Sequence, residues 1–224
     1  EGPQVAWLME RGFLSKYRAF APARMDLSGL HTRAGDYITA ELEDRFDKPT
    51  IVGDAVTSWK KFANGLRTVV YAFSIEHSKH IAAAFSASGF PFEHMDGTTP
   101  REERKRIINA MADRRLHGIS SVDLLTTGFD LSSQVDRDVP IQCVSLQRPS
   151  KSLALAIQMS MRGLRPQDHA AILLDHAGIF AEHGLPDTHR EWSLEGTVSA
   201  KRPGERTIAG CICAHCMGCY RPAY

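Results

Sequence analysis

Between residues 69 and 175, short apolar runs alternate with longer amphipathic stretches. Residues 68–73 are rich in β-branched and aromatic side chains, which is typical of a buried strand. Ser74 follows as the candidate N-cap of a helix that Gly89 would end. Strands that alternate with helices of this length predict βαβ units with right-handed crossovers. The pattern therefore predicts a three-layer α/β domain with a mainly parallel sheet.

Further elements follow the same pattern. A helix is predicted at residues 152–161, and short strands at residues 92–95, 119–125, 141–146 and 170–174. Thr99 stands three residues before Glu102, with Pro100 between them, and this spacing matches a capping box. In that arrangement Thr99 caps a helix that opens at Pro100, and Glu102 reaches back to the cap.

The pattern divides the chain into four parts. Residues 1–67 form a partly helical lead-in, 68–178 the α/β domain, 179–209 an irregular extension, and 210–224 a small Cys-rich tail. No run of 18 apolar residues is present, so no transmembrane helix is expected. The Glu-Gly-Pro start, without a basic and apolar signal region, suggests a fragment or processed chain. A formal net charge of +1 neither favours nor excludes a polyanionic partner.

The cysteines are distributed unevenly. Cys143 lies in an apolar run, whereas four others crowd the C-terminus: Cys211, Cys213, Cys216 and Cys219. A secreted disulfide framework would spread them through the fold, so the pattern indicates a reducing cytoplasm. Cys213 and Cys216 have the spacing of a zinc knuckle and are the first candidate ligands, with Cys211 and Cys219 beside them. Ordinary reduced thiols in a frayed tail are the alternative.

Four motifs stand in order at residues 69–74, 94–104, 125–130 and 158–166. They resemble motifs IV, IVa, V and VI of the superfamily 2 helicases of DEAD/DEAH type. The resemblance is to the C-terminal RecA-like domain, in the bacterial and phage branch of restriction and repair helicases. It implies the second motor domain of an ATP-dependent helicase or translocase. A match to one such motif alone would be weak evidence for the family, whereas four motifs in the same order are specific to it.

Arg162 and Arg165 are three residues apart, and Gln158 precedes Arg162 by four, so on one helix they would share a face. Phosphoryl transfer needs positive charge opposite the γ-phosphate, and guanidinium groups provide it in a bidentate geometry. The resemblance implies that both arginines are arginine fingers and that Gln158 assists them. An ordinary exposed basic helix end is the alternative.

The resemblance also implies nucleotide and nucleic-acid contacts. Asp130 resembles the acceptor of a ribose hydroxyl, and Gly128 would allow a ligand close to the backbone. The residues that would hold the nucleic-acid strand are Phe73, Ser74, Thr98, Thr99, Arg101, Arg104, Thr126 and Thr127. A helix N-terminus favours phosphate, although a capping box needs no ligand, a Thr-Gly turn is common, and Phe73 fits a core equally well.

No Gly-x-x-x-x-Gly-Lys-Ser/Thr loop and no Asp-Glu-x-His/Asp box occurs in the 224 residues. ATP with Mg²⁺ is therefore expected to bind mainly to the N-terminal RecA-like domain of the same protein, and this chain alone is expected to be inactive. The expected partners are that domain and nucleic acid, with DNA favoured over RNA. The alternative is a non-catalytic α/β module with a zinc tail that binds nucleic acid or protein.

Overall fold

The computed structural model describes residues 2–22, 25–125, 129–190 and 211–220. The helices are α1 (Val5–Glu10), α2 (Thr39–Phe46), α3 (Pro49–Phe62), α4 (Ile75–Ala87), α5 (Arg101–Ala112), α6 (Leu131–Val135), α7 (Leu153–Met161) and α8 (Ile179–His183). The strands are β1 (Tyr17–Phe20), β2 (Thr32–Arg33), β3 (Asp36–Tyr37), β4 (Thr68–Tyr71), β5 (Phe92–Met95), β6 (Gly118–Ser121), β7 (Cys143–Leu146), β8 (Ala171–Asp175), β9 (Cys211–Ile212) and β10 (Gly218–Tyr220).

One sheet organises the described part of the chain, in the order β5-β6-β4-β7-β8-β1-β10-β9. The six strands from β5 to β1 are parallel, and β10 and β9 join the edge as an antiparallel hairpin. The short strands β2 and β3 form a separate hairpin. The predicted α/β architecture with a mainly parallel sheet is confirmed.

Both faces of the sheet are buried at its centre, which explains why the central strands β4 and β8 are mostly apolar. In β4, Val69 and Tyr71 pack on one side and Val70 on the other. Helices α5 and α7 cover the first side, and α3 and α4 cover the second. The sheet thus forms the middle of three layers.

Trp59 of α3 is the largest side chain on the second side and is fully buried. Its indole Nε1 donates to the hydroxyl of Thr68 at 2.6 Å. Aromatic rings meet it edge-on with centroid distances of 4.9–5.7 Å, namely Phe85, Phe90 and Phe92. This cluster packs α3 against α4 and against β5, the edge strand of the sheet.

Two of the predicted helix starts are confirmed. The Ser74 hydroxyl accepts from the N–H of His77 at the start of α4, and the Ser152 hydroxyl accepts from the N–H of Leu155 at the start of α7. Gly89 follows α4 with a φ of +84°, as the predicted helix end requires.

The predicted capping box at Thr99 is wrong. Helix α5 starts at Arg101 after Pro100 and has no side-chain cap. The Thr99 hydroxyl instead accepts from the backbone N–H of Asp96 at 3.0 Å, and the Thr99 N–H donates to the Asp96 carboxylate. The backbone N–H and the carboxylate of Asp96 thus bind Thr99 in place of the N–H groups in the first turn of α5.

Strand β1 was not indicated by the sequence pattern, because Tyr-Arg-Ala-Phe is short and contains no β-branched residue. It pairs with β8 from Tyr17↔Ala171 to Phe20↔Leu174. Residues well before position 68 therefore belong to the same sheet. In the described ranges, none of the helices is long and apolar enough to cross a bilayer.

Candidate functional site

The loop after β5 is organised by Asp96. Its carboxylate accepts from the N–H and hydroxyl groups of both Thr98 and Thr99 at 2.8–3.2 Å. Nε2 of His94 lies 3.2 Å from the other carboxylate oxygen. Burial opposes the charge, but these hydrogen bonds outweigh it and lower the pKa of Asp96 to about 2. Asp96 is the residue that sequence reasoning missed here, since its partners are visible only in the folded loop.

Two arginines follow on α5. Arg104 donates to the carbonyl of Gly97 at 2.6 Å, and its guanidinium lies 5.9 Å from the ring centre of Phe129. It therefore ties the β5 loop to the segment that precedes α6. Arg101 is exposed and makes no ion pair with any residue that the structure describes.

Phe73 and Ser74 leave the end of β4, at the same edge of the sheet. Phe73 is only 4% exposed and stacks on His77 with a centroid distance of 3.8 Å. Burial in the core leaves little ring surface for a base, and this argues against the predicted contact between Phe73 and nucleic acid. Ser74 uses its hydroxyl as the cap of α4.

Asp130 caps the short helix α6, because its carboxylate accepts from the N–H of Ser132 at 3.1 Å. The same carboxylate forms an ion pair with the guanidinium of Arg165 at 2.6 Å. Thr126, Thr127 and Gly128 lie outside the described residues. The fold thus joins the predicted ribose acceptor to one of the predicted arginine fingers, across 35 positions of sequence.

The three predicted catalytic residues lie on different local structures. Gln158 is exposed on α7, which ends at Met161. Arg162 starts a single 3₁₀ turn, Arg162–Leu164, and Arg165 leaves that turn in an extended conformation with ψ 147°. The expectation that all three share one α-helical face is therefore wrong for Arg165.

The guanidinium of Arg162 lies close enough to the buried hydroxyl of Tyr71, at the end of β4, for its positive charge to oppose part of the effect of burial on the pKa of Tyr71. The Tyr71 hydroxyl in turn donates to the carbonyl of Leu125 at 3.1 Å. Burial raises the pKa of Tyr71 well above its usual value, so the phenol stays neutral. Arg162, Arg165 and Asp130 line one small cavity together with Phe129.

The hairpin of β9 and β10 carries the cysteine tail. The surrounding polar groups, chiefly the backbone N–H of Cys216 and then the hydroxyl of Tyr220, lower the pKa of the Cys213 thiol to about 6. The Cys216 sulfur lies 3.0 Å from the Tyr220 hydroxyl. Cys213 and Cys216 therefore sit on one tight turn.

Cys219 differs from this pair. It is 8% exposed, and burial raises the pKa of its thiol to about 12, which disfavours the thiolate that zinc requires. The side chain of Cys211 lies outside the described part. Among the described residues, no group of three or more His, Cys, Asp or Glu side chains is placed to hold a metal ion. Zinc binding stays a prediction, for which Cys213 and Cys216 are the best-placed residues.

Comparison with known proteins identifies the family. The family model for the helicase conserved C-terminal domain matches residues 47–167, more than half of the chain. The chain therefore belongs to the family of helicase conserved C-terminal domains.

Two curated relatives extend the comparison. The chain is 36% identical over 209 residues to a "51.5 kDa protein" of Lactococcus phage (isolate 7-9), covering 93% of the chain and 44% of the relative. It is 27% identical over 173 residues to "Putative ATP-dependent helicase IRC3" of Saccharomyces cerevisiae, covering 75% of the chain and 23% of the relative. The chain thus spans less than half the length of these relatives.

Two solved structures overlay on the chain. One is the E. coli DEAD-box protein SrmB bound to a regulator of ribonuclease activity, with TM-score 0.49, 12% identity and coverage of 72% of this chain and 76% of that one. The other is the type ISP restriction-modification enzyme LlaBIII bound to DNA, with TM-score 0.48, 16% identity and coverage of 75% and 12%.

Proposed function

We propose that this chain is the second motor domain of an ATP-dependent helicase or translocase, and that it supplies arginine fingers to ATP bound by a first motor domain. The observation that carries the proposal is the partly exposed Arg165–Asp130 ion pair beside Arg162, in a domain of the helicase family. "The intact protein" below means this chain together with its first motor domain.

The charged groups of Arg162, Arg165 and Asp130 suit contact with a nucleotide. Charge builds up on the γ-phosphate oxygens as ATP is cleaved, and preorganised guanidinium groups stabilise it. The Arg165–Asp130 ion pair is partly exposed, with side-chain exposures of 49% and 33%, so a nucleotide can exchange with both partners. Asp130 would then accept from the ribose hydroxyls while Arg165 turns to phosphate. Mg²⁺ would be held mainly by the first motor domain.

Gln158 and Arg162 complete the catalytic set in this proposal. Gln158 lies on α7 and Arg162 follows four residues later with helical backbone angles, so in this proposal Gln158 orients an oxygen beside Arg162. The Tyr71 hydroxyl lies near Arg162 on the core side. We assign transition-state contacts to both arginines and a supporting contact to Gln158.

The nucleic-acid track in this proposal runs along the loop after β5 and the start of α5. Thr98, Thr99, Arg101 and Arg104 meet at a helix N-terminus, whose free N–H groups and dipole favour a phosphate. Ser74, Thr126 and Thr127 are assigned to the same track by motif. Because the motifs resemble restriction and repair helicases, we propose DNA as the strand, and competition between single-stranded DNA and RNA decides between them.

Arg101 gives a direct test of the track. We expect Arg101→Ala in the intact protein to weaken binding evenly across sequences, and to reduce the slope of log affinity against log salt concentration by about one, because one phosphate contact is lost. Fluorescence anisotropy at several salt concentrations measures this. The matched control is Arg115→Ala, since Arg115 is exposed and paired with Asp113 at 2.9 Å. An unchanged slope for Arg101→Ala would remove this residue from the track.

The alternative function is a non-catalytic module that binds nucleic acid or protein. ATP hydrolysis by the intact protein separates the two. A motor domain makes turnover depend on nucleic acid and on the arginines of this chain, whereas a binding module leaves turnover independent of both.

A further inference from the structure

Ser15 lies 150 positions before Arg165 in the sequence, yet it is hydrogen-bonded to residues 164–167, which we call the Arg165 loop. Its hydroxyl donates to the carbonyl of Arg165 at 2.9 Å and accepts from the N–H of Gln167 at 2.8 Å. Its own N–H donates to the carbonyl of Leu164 at 2.9 Å. Ser15 is only 8% exposed, so these bonds are shielded from water.

The residue between the two bonded positions is Pro166, which has no N–H. A single hydroxyl therefore serves the carbonyl before the proline and the N–H after it. Only a group that both donates and accepts can do this, which limits the position to serine or threonine among small side chains. Removal of the hydroxyl would leave two backbone groups of the Arg165 loop without this partner.

The Ser15 contact is followed along the chain by backbone pairing between residues 16–20 and the segment of β8. The carbonyl of Lys16 accepts from the N–H of Ala171 at 2.8 Å, and β1 then pairs with β8 along its whole length. Ser15 thus attaches the Arg165 loop to the start of β1, which β8 holds in the sheet. Arg165 itself has left the 3₁₀ turn, so no helix holds its backbone.

We propose that Ser15 is a positioning residue for Arg165. By holding the backbone on both sides of Pro166, its hydroxyl sets the point from which the guanidinium extends towards the nucleotide phosphate. Ser15 touches neither ATP nor nucleic acid and acts through Arg165 alone. This inference rests on the proposed function, in which Arg165 is an arginine finger.

A double-mutant cycle in the intact protein tests it. We expect Ser15→Ala to lower kcat for ATP hydrolysis at saturating nucleic acid by about tenfold or more, since a displaced catalytic group loses much of its effect. The KM for ATP should change little, because the contact is made in the transition state. In an Arg165→Ala background, the same Ser15→Ala change should cause no further loss of kcat.

Two further variants separate positioning from general destabilisation. Ser86→Ala is the matched control, because the Ser86 hydroxyl also donates to a carbonyl and accepts from an N–H, both of Phe92, away from the arginines. It should leave kcat unchanged. Ser15→Thr retains the hydroxyl and should restore most of the kcat that Ser15→Ala loses. Thermal melting of each variant confirms that the folded protein is compared.

The outcomes are distinct. Equal losses of kcat from Ser15→Ala in the parent and Arg165→Ala backgrounds would overturn the inference, since Ser15 would then act independently of Arg165. A kcat unaffected by Ser15→Ala, in a protein that Arg165→Ala does impair, would also overturn it and leave the proposed function standing. A kcat unaffected by Arg165→Ala would remove the proposed function itself.

Discussion

Replacement of Arg165 by alanine should lower kcat for nucleic-acid-stimulated ATP hydrolysis in the intact protein by about a thousandfold or more, the size reported for loss of an arginine finger in phosphoryl transfer. The reason is that its guanidinium would face charge that develops only in the transition state. The KM for ATP should therefore change much less than kcat. Steady-state kinetics with a range of ATP concentrations measures both.

Two controls define the result. Arg165→Lys keeps the charge but loses the planar fork, so most of the loss should remain. Arg115→Ala removes an exposed arginine that is paired with Asp113, and it should leave kcat unchanged. A rise in KM with unchanged kcat for Arg165→Ala would contradict the assignment, because it would describe ground-state binding only.

Replacement of Trp59 by alanine should lower the free energy of unfolding by about 3–5 kcal/mol, since it empties a fully buried site and removes the largest side chain there. The change also removes the donor to the Thr68 hydroxyl and the edge-on contacts with Phe85 and Phe90. Urea denaturation of the chain, followed by circular dichroism, measures the loss.

Trp7→Ala is the matched control for that prediction. It is the same chemical change at a side chain that is 43% exposed, on a helix without buried residues. The expected loss is below about 1 kcal/mol, as for most surface substitutions. Equal losses at Trp7 and Trp59 would contradict the packing described for α3.

The elements that sequence predicted best are those whose signals are local. Residues 92–95 form β5 as predicted, and Ser74 caps α4, because a hydroxyl before a helix needs only the next turn as its partner. The predicted strand at residues 119–125 is shorter, and ends at Ser121. Beyond Ser121 the chain turns into the loop towards α6, although its composition stays apolar.

The errors arise where a distant or competing partner decides the conformation. The Thr99 hydroxyl bonds to Asp96 in preference to the helix, and no pattern ranks these two partners. Helix α7 ends at Met161, before Arg162, and the Arg165 carbonyl accepts a hydrogen bond from Ser15, 150 positions away in the sequence. Sequence spacing predicts periodic structure, but it does not reveal such long-range pairs.

For the candidate site, the motifs predicted which residues belong together more reliably than how they are arranged. Asp130 and Arg165 were assigned to nucleotide from different motifs, and the fold joins them in an ion pair. Ser15 could not be found because it lies in none of the four motifs, and Tyr71 lies in the motif at residues 69–74 but there has the pattern of a buried strand residue. In the sequence Tyr71 therefore looks like an ordinary core residue. Only its proximity to Arg162 in the fold relates it to the site.

The central claim is that this chain works as half of a nucleic-acid-dependent ATP motor. The most direct measurement is ATP hydrolysis by the intact protein, with and without saturating single-stranded DNA or RNA. We expect turnover that rises with nucleic acid and saturates, because in the proposed mechanism strand binding brings the first motor domain onto the arginines of this chain. Turnover that is the same with and without nucleic acid, or no turnover in either case, would contradict it.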